Sequence, residues 1–499
     1  MDKLQLMDSF FHPKNVTLIG VSRNLIGPSG MILTNMIKGG YKDPLYLINK
    51  NIEPGKKILG RSVETGLDKI KDDLDLAFVI VPSRIVPSVL EECGEQNINA
   101  VVIISSGFAE SILYNREKVE LQRELVSIAK KNGFIFTGPN CNGIYSSAVS
   151  LNAIFGPRVH NIPGNISYVS RGGTAGVYSM IETRTREIGI SKFINVGDAA
   201  YLDTHDFIEY YGQDPETKVI GAYSEGISNG PEFIKIAKKV TPKKPVVFYK
   251  SGVTDAGKRA ALSHVGAIAG EYGNKIFEGL LKQTGIIPVE SITELADVCC
   301  AFMTTHIPQG HNIGIVTFAG SLGVMISDAC NKAGLNLPSL SPELIEKIDK
   351  NQMLPEYWSH SNPIDLTDAM NFRSITKIIK SLLQEKNFDG IVFLMGNFDD
   401  KQAKYVDFGI DFANDPKQEN GAVSKLFEEV MAGPIKKLRK YVEFYKKPVF
   451  VLGPVDSNTG IPGLLRSYNV VCLPEFNRIA RTFAALAKWG KFSKKTKLD

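Results

Sequence analysis

The sequence is short of cysteine, with six in 499 residues, two of them adjacent at Cys299 and Cys300, and no Cys-x-x-Cys pair. That excludes a disulfide framework and a cysteine zinc site, and it predicts a reducing, cytoplasmic setting. The seven histidines (12, 160, 205, 264, 306, 311 and 360) include no His-Glu-x-x-His or comparable spacing, so no metal site is expected. No run of about 18 apolar residues occurs, and no membrane-spanning helix is expected. Met1 to Lys14 lacks the apolar core and cleavage site of a signal peptide. Neither sign of charge dominates: 58 basic and 53 acidic residues leave a net +5, well interspersed, which predicts neither a nucleic-acid nor a membrane partner. The Lys-rich end, Lys488 to Lys497, reads as a solvated tail. No Gly-x-x-x-x-Gly-Lys-Ser/Thr loop is present, which excludes a P-loop nucleotide site.

What the chain does have is glycine, 45 residues, and a repeated alternation of apolar strands with amphipathic helices. Strands are predicted at Val16–Ser22, Pro44–Lys50, Asp75–Val81, Ala100–Ser105 and Phe134–Phe136, with helices over Met31–Ile37, Ser88–Glu95 and Arg116–Lys130. The same grammar returns in Ile166–Val169, Lys192–Val196, Thr217–Tyr223 and Pro245–Tyr249. It returns again in Ile313–Phe318, Gly390–Leu394 and Pro448–Leu452. Near-continuous apolar strands separated by helices argue parallel α/β sheets. Linkers are expected near 148–164 and 302–311, where Pro, Gly and His collect. The length predicts about three domains.

Four strings stand where such folds carry ligands. Gly20-Val-Ser with Gly27 and Gly30 follows a strand and precedes a helix, as either a phosphate cradle or a structural turn. Gly138-Pro-Asn-Cys-Asn-Gly143 also follows a strand, and Cys141 by itself reads as a small buried residue. Ser170-Arg-Gly-Gly-Thr-Ala-Gly176 combines hydroxyls, open backbone N–H groups and a helix start, either an anion cradle or a Gly-rich turn. His264 sits among small residues that leave room for a bulky group on its ring. Glu225, at a strand end, is a candidate to bond that imidazole and fix its tautomer.

Together these strings resemble the CoA-binding, histidine-phosphorylated half of the NDP-forming acyl-CoA synthetases. That family includes ADP-forming acetyl-CoA synthetase and, more distantly, the alpha subunit of succinyl-CoA synthetase. The resemblance runs over residues 8–490 in the family order. Its motifs are Ile19-Gly-Val-Ser22, Gly107-Phe-Ala-Glu110, Gly138-Pro-Asn-Cys-Asn-Gly143, Tyr168-Val-Ser-Arg-Gly-Gly-Thr174, Asn195-Val-Gly-Asp198, Glu225-Gly, Ser263-His-Val-Gly-Ala-Ile-Ala-Gly270 and Ser361-Asn-Pro-Ile-Asp-Leu-Thr367. The implied fold is α/β: a Rossmann-like CoA-binding domain (1–148), a flavodoxin-like domain bearing the histidine (160–301) and a second flavodoxin-like ligase-CoA domain (311–496).

The resemblance implies roles. His264 is the histidine transiently phosphorylated, and Glu225 the carboxylate that orients it. Ser170, Gly172, Gly173 and Thr174 hold the phosphate. Gly20, Ser22, Arg23, Lys50, Val81, Pro82 and Ser83 contact the nucleotide part of CoA, and Asn140 and Cys141 lie near its thiol end. The implied reaction joins a carboxylic acid, CoA and ATP to give acyl-CoA, ADP and phosphate through an acyl phosphate and a phosphohistidine. The usual Ser-Gln-Ser-Gly loop is Ser170-Arg-Gly-Gly here, with Arg171 adding a charge at the site or pointing to solvent. The usual Gly-Gly-Pro-Gly-like turn is Ala319-Gly-Ser-Leu-Gly323. ATP, ADP and Mg2+ are expected on a separate ATP-grasp beta subunit, in an α2β2 assembly. The rival readings are a CoA-dependent acyl or carbamoyl transferase without phosphohistidine, and a non-catalytic CoA-binding protein.

Overall fold

The computed structural model describes residues 2–53, 55–108, 116–257, 273–366, 372–394, 422–453, 465, 468 and 470–498. The chain divides into two compact units, Met1–Cys299 and Cys300–Asp499. His264 and the Lys258–Gly270 string, Ala109–Glu110 and Thr367 lie outside the described residues.

The first unit holds two seven-stranded sheets. One is built from β1 (Val16–Ile19), β2 (Leu45–Ile48), β3 (Lys57–Ile58), β4 (Arg61–Glu64), β5 (Leu76–Val79), β6 (Ala100–Ile103) and β7 (Ile135–Thr137). Its order is β3-β4-β2-β1-β5-β6-β7, parallel apart from the β3–β4 pair. Leaving out β3, this is the 3-2-1-4-5-6 order of a Rossmann sheet. β1, β5 and β6 are buried at every position, which is why they read as near-continuous apolar runs. Helices α1 (Lys3–Asp8), α2 (Pro28–Gly39), α3 (Val86–Glu95) and α4 (Arg116–Asn132) accompany it. Pro28 opens α2 at a position where no N–H is needed, and Gly40 closes it at φ 91°, a conformation that suits glycine. β3 and β4 have no counterpart in the sequence reading, because Lys57–Glu64 is polar and only Ile58 and Val63 are buried.

The second sheet contains β8 (Gly143–Ser146), β9 (Leu151–Ile154), β10 (Ile166–Ser170), β11 (Ile190–Asn195), β12 (Val219–Ser224), β13 (Val246–Lys250) and β14 (Ile287–Val289), in the order β14-β13-β12-β10-β11-β8-β9. Its five parallel strands follow the flavodoxin order 2-1-3-4-5. Helices α5 (Gly173–Thr185), α6 (Thr204–Gln213) and α7 (Gly230–Val240) connect them. The expected linker at 148–164 is different: β8 and β9 form a hairpin that pairs antiparallel with β11. The hairpin also packs on α2, and Asn35 Nδ2 donates to the carbonyls of Ile154 at 2.8 Å and Gly156 at 3.0 Å. The core is accordingly continuous from Ile32, Leu33 and Met36 of α2 through Ile144 and Leu151 to Ile194 and Phe207. Each such side chain contributes about 1.5–3 kcal/mol on burial.

The second unit carries β15 (Ile313–Thr317), β16 (Ile364–Asp365), β17 (Gly390–Leu394), β18 (Val449–Leu452) and β19 (Val471–Leu473), all parallel, in the order β16-β15-β17-β18-β19. This is again 2-1-3-4-5. The Lys-rich end is no free tail: Phe476–Leu498 is one helix. Ile479, Ala480, Phe483, Leu486 and Ala487 bury one face of it, and that face carries the helix through the lysines. Lysines near a helix C-terminus also suit its dipole. Among the described residues, no helix is long and apolar enough to cross a membrane.

Candidate functional site

In each sheet of the first unit the chain leaves one central strand in both directions. β1 lies between β2 and β5, and β10 between β11 and β12. Ligands of open α/β sheets bind beyond the C-terminal strand ends at such switch points. Here both switch points open on one cavity of about 950 Å³. One wall comes from the turns after β1, β5, β6 and β7, the other from those after β10, β11 and β12.

On the Rossmann wall, Gly20 has φ 91° and lies so close to the Ile80 carbonyl that a Cβ would collide with it. Ser22 N–H donates to Ser29 Oγ at 3.0 Å, and the Ser22 hydroxyl accepts from Asn24 N–H at 3.1 Å. Gly20, Ser22, Val81 and Pro82 line the cavity. Arg23 and Lys50 are exposed and do not line it, and Lys50 Nζ reaches Glu92 at 2.7 Å instead. Ser83 is also off the wall, where its hydroxyl accepts from Lys118 Nζ at 3.4 Å.

The turn after β7 brings Asn140, Cys141 and Asn142 to the junction of the walls. Asn140 Nδ2 donates to Asp198 Oδ1 at 3.1 Å. Cys141 is buried, and its Sγ donates to the Ile103 carbonyl at 3.2 Å. Burial pushes its thiol up to about 12, so it shapes the cavity and is no nucleophile.

On the flavodoxin wall, α5 starts at Gly173 behind Gly172. The first N–H groups of a helix have no partner within it and face outward with positive potential. Gly172, Gly173 and Thr174 line the cavity. A Cβ on Gly172 would meet the Tyr223 ring at 2.8 Å and Glu225 Oε1 at 3.3 Å, and one on Gly173 would meet Asn142 at 3.1 Å. Ser170 is buried behind the loop and donates to the Gly172 carbonyl at 2.6 Å, so it braces the turn from within. Asn195 staples the same turn. Its Nδ2 donates to the Ser170 and Arg171 carbonyls at 2.8 and 2.9 Å, and its Oδ1 accepts from Asn142 N–H at 2.7 Å. Arg171 does not point to solvent: it is 8% exposed, lines the cavity and donates to the Asp198 carbonyl at 3.1 Å.

Glu225 lines the cavity beside this loop and accepts from the Tyr223 hydroxyl at 3.0 Å. Asn195, Asp198 and Tyr223 have no assigned role in the sequence reading. Asn195 and Asp198 belong to a string singled out there, whereas Tyr223 reads as an ordinary strand aromatic. Among the described residues no group of His, Cys, Asp and Glu is placed to hold a metal ion.

Three family profiles match the chain: a CoA binding domain over residues 14–147, a succinyl-CoA ligase like flavodoxin domain over 163–302 and a ligase-CoA domain over 313–396. The chain is 33% identical over 497 residues to the acetate–CoA ligase [ADP-forming] I subunit alpha of Pyrococcus furiosus, covering 98% of this chain and 99% of that one. It is 30% identical over 384 residues to the 4-hydroxybutyrate–CoA ligase [ADP-forming] of Nitrosopumilus maritimus, covering 76% of this chain and 53% of that one. The solved dinucleotide-forming acetyl-coenzyme A synthetase 1 of Ca. Korarchaeum cryptofilum, in complex with phosphate and ADP, superposes with a TM-score of 0.81 at 28% identity over 99% of both chains.

Proposed function

The chain belongs to the family of ADP-forming acyl-CoA ligases, and on that premise we propose how its residues divide the work. The overall reaction is carboxylic acid + CoA + ATP ⇌ acyl-CoA + ADP + phosphate. CoA occupies the cavity between the two switch points, with its nucleotide end toward Gly20, Ser22, Val81 and Pro82 and its thiol end toward Asn140 and Cys141. A volume of about 950 Å³, at the top of the usual ~300–1,000 Å³ range for ligand pockets, suits so long a ligand.

His264 accepts the γ-phosphoryl group of ATP, and ADP leaves. The substrate carboxylate then takes that phosphoryl group as an acyl phosphate, and His264 is freed. The CoA sulfur attacks the acyl carbon and expels phosphate. Two phosphoryl transfers through His264 thus replace one direct transfer from ATP to the carboxylate, before the sulfur displaces phosphate. Gly172, Gly173 and Thr174 at the start of α5 hold the phosphate charge, braced by Ser170, while Glu225 orients His264. The single observation that carries the reading is that a Rossmann-type CoA crevice and this helix start, with Glu225 beside it, open on one cavity.

ATP and Mg2+ bind on an ATP-grasp beta subunit, in an α2β2 assembly. The naming of the Pyrococcus relative as an alpha subunit supports a partner. Six buried free cysteines support a cytoplasmic setting. The relatives' names cover acetate, 4-hydroxybutyrate and trans-feruloyl-CoA, which supports a carboxylic acid as the substrate class.

The test compares the chain with and without its ATP-grasp partner, reading CoA binding by calorimetry and ADP release in the presence of acid and CoA. The expected result is CoA binding by the chain alone, ADP release only with the partner, and loss of ADP release but not of CoA binding in His264→Ala. ATP-dependent thioester formation at wild-type rate by His264→Ala overturns the phosphohistidine assignment.

A further inference from the structure

Glu225 is held by a directed chain of hydroxyls. Tyr223 Oη lies 3.0 Å from Glu225 Oε1 and 2.9 Å from Ser251 Oγ. An ionised carboxylate can only accept, so the one phenolic proton goes to Glu225. The Ser251 hydroxyl must then donate to Tyr223. The order Ser251→Tyr223→Glu225 follows from counting protons, and each bond polarises the next.

Every member is fixed from behind. Tyr223 is the penultimate residue of β12, where its carbonyl accepts from Arg171 N–H at 3.0 Å and its ring packs edge-on against Tyr249 at 5.4 Å. Ser251 N–H donates to the Ser224 carbonyl at 3.2 Å, continuing the β12–β13 ladder by one residue. In front stands Gly172, whose missing Cβ leaves room for the Tyr223 ring and the Glu225 carboxylate against the phosphate loop. Burial, followed by the charge of Glu225, keeps the phenol protonated well above its ordinary range, so the donor is always present.

From this geometry we infer that Tyr223, backed by Ser251, is a positioning residue that holds the Glu225 carboxylate at the mouth of the Gly172–Thr174 loop. The inference rests on the reading of Glu225 as the group that orients His264. One carboxylate oxygen is committed to the phenol, which leaves the other for the imidazole. Without the phenol the carboxylate can rotate, and the imidazole is correctly presented for a smaller fraction of the time.

The experiment uses the chain assembled with its ATP-grasp partner and labelled ATP, and it reads label incorporated into the chain together with steady-state acyl-CoA formation. Glu225→Gln, Tyr223→Phe, Ser251→Ala and the Tyr223→Phe/Glu225→Gln pair are compared, and calorimetric CoA affinity reports whether the fold is intact. A hydrogen bond to a charged group is worth about a 10- to 100-fold effect. Tyr223→Phe is therefore expected to slow incorporation and kcat about 10- to 100-fold with KM for CoA unchanged, and Ser251→Ala to slow them less. On the Glu225→Gln background the Tyr223 change is expected to add nothing, because both remove one arrangement.

A full additional loss in the double variant overturns the inference, since Tyr223 would then act elsewhere. So does a Tyr223→Phe protein within about twofold of wild type while Glu225→Gln is slow. Wild-type incorporation by Glu225→Gln removes the reading of Glu225 itself, and with it the inference. If Tyr223→Phe loses CoA binding with its fold, the Ser251→Ala comparison decides: kcat unchanged from wild type refutes the relay.

Discussion

At the scale of single residues, several side chains are defined more by where they stand than by what they are. Cys141 is a thiol that lines the cavity, which invites a nucleophilic role. Its burial and its bond to the Ile103 carbonyl remove that role, since a group titrating near 12 has about one ten-thousandth as thiolate at pH 8. The native chain treated with iodoacetamide at pH 8 is therefore expected to keep Cys141 unmodified by peptide mass spectrometry, and to lose it rapidly in guanidinium. Alkylation of Cys141 in the native chain would contradict this. Arg171 shows the same dependence on place: in the sequence the departure from Ser-Gln-Ser-Gly leaves its direction open, whereas its guanidinium is buried in the cavity wall. Arg23 and Lys50 are exposed and lie off the cavity, whereas Gly20, Ser22 and Asn24 line it.

At the scale of elements, β11 of the second sheet carries one member of a buried ion pair. Lys192 of β11 is fully buried, with Asp214 at 2.8 Å and Glu216 also in contact. Burial alone would raise the Asp214 carboxyl, but the hydrogen bonds from Lys192 and Thr217 outweigh it and hold the carboxyl below its ordinary value. Its stabilising contribution is present above the unfolded value of about 3.9 and is lost as pH falls through the lower folded value. Lys192→Met leaves a buried carboxylate without its main partner, at a cost of about 3 kcal/mol. Urea unfolding at pH 7 is expected to show that loss, and the gap from wild type is expected to close below about pH 4. A gap independent of pH would mean that packing of the lysine stem, and not the pair, carries the effect. Nothing in Lys192-Phe-Ile-Asn-Val196 announces a buried charge, since a lysine in a strand reads as an outward residue. The hairpin β8–β9 was hidden for a related reason: the Pro, Gly and His around 148–164 read as a linker, and Asn35, which pins the hairpin's end to α2, lies 119 positions from Ile154.

At the scale of the whole molecule, the described residues that line the cavity fall between Gly20 and Glu225, within the compact unit Met1–Cys299. A fragment ending at Pro308, past the helix Ile292–Thr304, is therefore expected to fold alone and to bind CoA within about twofold of the full chain by calorimetry. Failure to fold, or a tenfold loss of affinity, would show that the second unit shapes the CoA site.

The alternation of buried strands and helices was legible along the chain because parallel strands covered on both faces are apolar nearly throughout, as Leu76–Val79 and Gly390–Leu394 are. The glycine strings were legible because a backbone that presses on Ile80 or Tyr223 tolerates no Cβ. Those are local requirements, and they leave their mark on neighbouring letters. The tertiary structure alone decided that two switch points, some 150 residues apart, face one cavity. It alone decided that Tyr223 and Ser251 stand behind Glu225, that Arg171 turns inward and that Lys192 is buried. Each depends on where strands far apart in sequence end in space, and hydrogen-bond geometry across that distance has no signature in composition or spacing.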